Sequence, residues 1–202
     1  MAEMKGSRRA SVAASIAGIA LAIWAGAAEA KPRAAVGYSH YPVSGTTALE
    51  MLQQMELHGP TVDGSEAYAS TESVLKHTGS IVQGKSCTLK GYQISIDFTI
   101  RLPAAQDLNG MSSRVKVAWR SFYAFVKRHE ETHKSLWLQC ASRLEARIKS
   151  LRERSCETLE AKIAALVDAE VGACQSKHAA FDRSERARLR AQPLVKQAFA
   201  GQ

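Results

Sequence analysis

No two cysteines stand close together in this 202-residue chain, no second long apolar run follows the one near its start, and no internal repeat breaks the interval between an Ala-rich beginning and an Arg-rich end. Each absence removes a class of protein. Without a CxxC pair, Cys87, Cys140, Cys156 and Cys174 do not spell a thiolate metal site. Without a further run of ~20 apolar residues, nothing beyond the first stretch is suited to span a bilayer. Aromatic residues make up only 6% of the chain and do not interleave with its basic residues, which argues against nucleic-acid binding. The basic residues Arg183, Arg186, Arg188, Arg190 and Lys196 read first as a solvated helix face, and second as an attraction for acidic envelope polymers or lipid surfaces.

What is present begins with a leader. Lys5, Arg8 and Arg9 precede an apolar run from Ala10 to Gly26, and Ala28-Glu29-Ala30 supplies small residues around a cleavage point. Residues 1–30 read as a secretory signal peptide, with an uncleaved anchor helix as the alternative. No cysteine near that point offers a lipid anchor. The net charge of +8 drops by one on cleavage, because the leader carries three basic and two acidic residues. The mature protein is then expected to be secreted or periplasmic, in oxidising surroundings, and its four cysteines to form two disulfides. Residues 31–190 suit a single domain and residues 191–202 a C-terminal tail.

The expected fold class is α+β: a small antiparallel sheet with an N-terminal helix, packed against a long C-terminal helical hairpin. Val36 to Val43 suits a strand that Pro42 confines to an edge or an end. Leu49, Met51, Leu52 and Met55 suit a helix entered at Thr46 or Thr47 and stopped by Gly59-Pro60. Short strands separated by Gly64, Gly79 and Gly84 follow. In Tyr92 to Arg101 the residues Ile94, Ile96, Phe98 and Ile100 alternate with polar ones, giving a strand that Leu102-Pro103 ends and whose edge can align a substrate. Ser112 or Ser113 caps a helix to about Leu151, and Ser155 opens another that runs past Cys174.

The first long helix carries His129-Glu130-Glu131-Thr132-His133. Residues four apart share a helical face, so two imidazoles aim at one point with a carboxylate beside them. Phe122, Val126, His129, His133, Leu136, Cys140, Leu144 and Ile148 form one stripe, which turns both histidines inward. A lone inward histidine is commonly a hydrogen-bonded core residue, but two at ligand spacing with an adjacent Glu are costly to bury without a purpose. The pattern points to Zn2+ held by His129 and His133, with Glu130 as the base that activates water.

The third ligand is read from disulfide register. Cys156 and Cys174 on one helix stand about 27 Å apart, too far to bond. Cys140 with Cys174 is favoured, leaving Cys87 for Cys156. That register brings Asp182 level with Thr132, Phe181 with His133, Glu185 with His129 and His178 with Leu136, while Glu170 falls about 16 Å below His133. Asp182 is the chosen third ligand, ahead of Glu185 and His178, either of which can instead orient an imidazole. The bland alternative pairs Asp182 and Glu185 with neighbouring arginines.

Tyr41-Pro42-Val43-Ser44-Gly45, His58-Gly59-Pro60, Cys87, Leu102-Pro103 and Trp119 ahead of the HExxH string occur in an informative order. On these residues the chain resembles, over most of its mature length, the bacterial family described as predicted secreted zinc-dependent proteases and catalogued as a domain of unknown function. The resemblance implies an envelope-located metallopeptidase with His129 and His133 as ligands and Glu130 as base, acting on a peptide or protein substrate or an envelope polymer. The family continues with Tyr-Asp, then Thr and His-Gly; here Phe181-Asp182 matches the start, but Ala187-Arg188 stand where His-Gly would be. Two functions therefore compete: a zinc-dependent hydrolase, or a noncatalytic disulfide-stapled envelope binding module with a degenerate metal site.

Overall fold

A computed structural model describes residues 32–200 apart from 63, so the expected signal peptide lies outside the described residues. The elements are β1 (Arg33–Val43), α1 (Ala48–His58), a small hairpin of β2 (Thr61–Val62) and β3 (Ser65–Glu66), β4 (Ser70–Gln83), β5 (Cys87–Ala105), a short 3-10 turn, α2 (Ser113–Ser150), β6 (Arg152–Glu153), α3 (Cys156–Arg190) and α4 (Pro193–Phe199). The chain is thus α+β, with sheet preceding helices as the sequence order implies. No helix among the described residues is long and apolar enough to cross a membrane.

The main sheet differs from the antiparallel one expected: its order is β1-β5-β4, with β1 parallel to β5 and β4 antiparallel to it. The parallel pair follows from connection length, since β1 and β5 are separated by α1 and three further strands rather than by a hairpin turn. β5 is therefore the central strand, and residues 95–101 are paired on both sides, so the expected substrate-aligning edge at Tyr92 to Arg101 is not an edge. Among the described residues the open edges belong to β4 on one side and to β1 and the short β6 on the other. β5 also runs through Leu102-Pro103 to Ala105, because β1 keeps pairing there after β4 has stopped at Arg101, and an edge-like position tolerates the missing proline N–H. β4 is one long strand rather than several short ones. Gly79 lies inside it at φ 152, where a Cβ would stand 3.1 Å from the Tyr92 Cα, and the ladder shifts register there.

Caps set the helices. Thr47 accepts the Glu50 N–H while the Glu50 carboxylate accepts from the Thr46 and Thr47 amides, closing a capping box at α1. Ser112 caps α2 through the Val115 N–H, and Ser155 caps α3 through Thr158. Residues 191–202, expected as a tail, contain α4, whose Leu194 and Ala198 are buried in the core.

Two apolar clusters divide the length of α2. Its N-terminal half buries Trp119, Phe122, Phe125 and Val126 with Met51, Leu52, Met55, Tyr41, Ile100 and Leu194. Its C-terminal half buries Ala141, Leu144 and Ile148 against Tyr92, Ile94, Ile96 and Phe98 of β5. Each fully buried Ile or Leu contributes about 1.5–3 kcal/mol. The turn at 129–133 lies between the clusters, held from both sides. Buried Glu145 supports the arrangement by accepting the Ile94 amide at 2.8 Å, next to Ser95, where β1 begins to pair.

Candidate metal centre

The antiparallel helices α2 and α3 are joined by Cys140–Cys174, with Cα atoms 6.0 Å apart, and Cys87–Cys156 ties β5 to the start of α3. Both favoured pairings are present. Glu170, placed well below the motif by the register, is buried and holds Arg143 at 2.7 Å instead.

Across the staple, His129 and His133 of α2 meet Asp182 of α3. The two Nε2 atoms are 3.0 Å apart, and one Asp182 oxygen lies 3.1 Å from His129 Nε2 and 2.9 Å from His133 Nε2. These three residues form a group able to hold a metal ion. Donors about 2.0–2.1 Å from a tetrahedral zinc stand roughly 3.3 Å from one another, so the observed triangle is a few tenths of an ångström tighter than that and fits. Phe181 packs on the histidines, its ring centroid 4.7 Å from His129 and 5.2 Å from His133. Glu185 does not join the group; it pairs with Arg188 at 2.9 Å. His178 also stays outside the triangle, touching His133 Nδ1 through its own Nδ1 at 2.7 Å and packing on Trp137.

The electrostatics follow from burial. Desolvation lowers the pKa of both His129 and His133 against the opposing pull of Asp182, which leaves imidazoles with the free lone pairs that ligation needs. Glu130 is 5% exposed, and its pKa is pushed up to about 7 by burial, opposed by the Thr71 hydroxyl, which donates to its carboxylate at 2.9 Å, and raised further by the charge of Asp182. Glu131 lies on the outer side, bonded by Tyr38 of β1 and Lys134.

Sequence reasoning missed Thr71, and it left His178 between a third ligand and a residue orienting an imidazole. Thr71 sits opposite Ile100 in a strand with no alternation to single it out, and only the β4–β5 register carries it to the helix.

The fold and these donors define an α+β protein with a two-histidine, one-carboxylate cluster spanning two disulfide-joined helices. The family described as bacterial protein of unknown function (DUF922) matches residues 38–188, more than half of the chain, and the protein belongs to it. No curated protein and no solved structure matches the chain.

Proposed function

We propose that this protein is an exported zinc-dependent hydrolase of zincin type, and specifically a metallopeptidase. The observation that carries the reading is the convergence of His129, His133 and Asp182 on one point, with Glu130 next along the helix and buried. A zinc ion held there supplies a Lewis acid for a carbonyl oxygen and lowers the pKa of water. The chain's own residues do the rest. Thr71 restrains the Glu130 carboxylate, which in its ionised form would accept a proton from attacking water and return it to the leaving amine. His129, His133 and Asp182 would hold the ion as three protein ligands, the number that lets a catalytic zinc also take substrate or water.

Peptides are favoured as substrates by the sheet. β4, which supplies Thr71, pairs with β5 alone among the described residues, so its other edge offers backbone donors and acceptors to an extended chain. The two disulfides and the leader residues favour export.

The test is metal analysis of the purified mature protein together with Glu130→Gln. Stoichiometric zinc in both proteins and loss of peptidase activity only in the variant are expected. Absence of zinc, or unchanged activity in the variant, refutes the mechanism and leaves the noncatalytic envelope module, whose binding should survive His129→Ala and weaken when the Arg183 to Arg190 cluster is neutralised.

A further inference from the structure

The two histidines of the cluster are oriented by different means. His129 Nδ1 is buried with no hydrogen-bond partner among the described residues, and its ring is held by packing on Phe181 and Phe125. His133 instead meets the His178 Nδ1 at 2.7 Å. Those two rings lie within 10° of parallel with centroids 5.0 Å apart. A face-to-face stack keeps ring atoms about 3.5 Å apart, so a 2.7 Å nitrogen contact places the rings side by side in nearly one plane. The centroid separation is close to the contact plus the two ring radii, which aims the nitrogens head-on, as a hydrogen bond requires.

We infer that His178 is the positioning residue of His133: it accepts the Nδ1–H of His133 and so fixes that ring with its Nε2 lone pair turned to the shared point. The inference rests on the reading of His129, His133 and Asp182 as a metal site. An imidazole that ligates through Nε2 keeps its single proton on Nδ1, and that proton needs an acceptor. His178 stands there, one helical turn before Asp182 on α3, so the same helix brings a ligand and the group that orients another ligand. The His178 proton then resides on Nε2, which is buried without a hydrogen-bond partner among the described residues, in a ring whose centroid lies 5.0 Å from that of Trp137. A neutral partner, in place of the usual carboxylate, fixes the ring without adding negative charge to a site that already holds Asp182 and Glu130.

Two substitutions separate orientation from packing. His178→Phe keeps a ring against Trp137 and removes the acceptor; His178→Asn removes the ring and keeps an oxygen where Nδ1 stood. Zinc affinity is measured by chelator competition, the Co2+ absorption spectrum reports ligand geometry, and melting of the metal-free proteins checks that both variants fold, with His178→Leu replacing the Phe variant if that one does not. A roughly 10–100-fold loss of zinc affinity and an altered cobalt spectrum are expected in His178→Phe, with both within about threefold of wild type in His178→Asn. Tight zinc binding by the Phe variant with loss in the Asn variant makes His178 a packing residue and overturns the inference, as does wild-type affinity in both. A wild-type protein that takes up no zinc overturns the metal-site reading itself, and the inference with it.

Discussion

Glu130 should make the metal-free protein less stable as pH rises, and Glu130→Gln should remove that dependence. The carboxyl is 5% exposed and holds its proton to about 7 in the folded protein, against 4.5 ordinarily. Between those values the unfolded chain has released a proton that the folded chain retains, so stability contributed at low pH is lost as pH climbs through 7. At about 1.36 kcal/mol per pKa unit the full loss is about 3 kcal/mol. The amide is nearly isosteric, can accept the Thr71 hydroxyl, and never ionises. Chelator-stripped wild type and variant should therefore be nearly equal at pH 4.5, while at pH 8.5 the variant should be about 3 kcal/mol more stable, a rise in melting temperature of roughly 6–12 °C. Denaturant titration of both proteins at both pH values measures it, and titrations common to the two cancel in the difference. A variant advantage that does not change with pH refutes the argument that burial controls this carboxyl.

Three further outcomes follow from the site. Asp182→Asn should lower zinc affinity by roughly 100-fold or more while leaving the metal-free melt little changed, because the carboxylate is half exposed and its loss leaves no buried ion; chelator competition and calorimetry check both halves. Thr71→Val should leave zinc binding near wild type and reduce kcat about tenfold by freeing the Glu130 carboxylate, as read by steady-state kinetics at fixed metal. Replacing Cys140 and Cys174 together by Ser should cost about 4 kcal/mol, from a closed loop of 34 residues, and should also weaken zinc binding because α3 is no longer pinned level with the motif.

Much of the site was legible because helices make simple rulers. A spacing of four placed His129 and His133 together, and one cysteine pair across a helical hairpin set the register that brought Asp182 to them. Phe181 arrived opposite His133 by the same arithmetic, although His178, read as level with Leu136, came within reach of His133, less than a turn away. The sheet was less legible. Strand alternation located the buried face of β5 but says nothing about partners, so β1 pairing in parallel and β5 taking the centre came only from the fold. Leu102-Pro103 ends a strand by local rule, yet one-sided pairing with β1 overrides it. Thr71 was invisible for the same reason: a threonine in a strand acquires its role from what lies across the sheet.

The departure from the resembling family at Ala187-Arg188 bears on how the site is closed. A His-Gly there would lie more than one turn beyond Asp182 on α3, whereas the Asp182 oxygen already stands within 3.1 Å of both imidazole nitrogens. The donor triangle is therefore complete without it, provided α3 stays in register with α2 over the two turns between Cys174 and Asp182. That condition falls on the disulfide and on Arg143 paired with Glu170 below it. Holding Glu130 ionised in its buried place costs the metal-free protein about 3 kcal/mol, and the Cys140–Cys174 link contributes about 4 kcal/mol, so the crosslink nearest the cluster is large enough to offset that buried charge. The candidate donors and the crosslink that aligns them thus sit on neighbouring turns of the same two helices, and reducing the disulfides should separate His129, His133 and Asp182 before it unfolds the sheet.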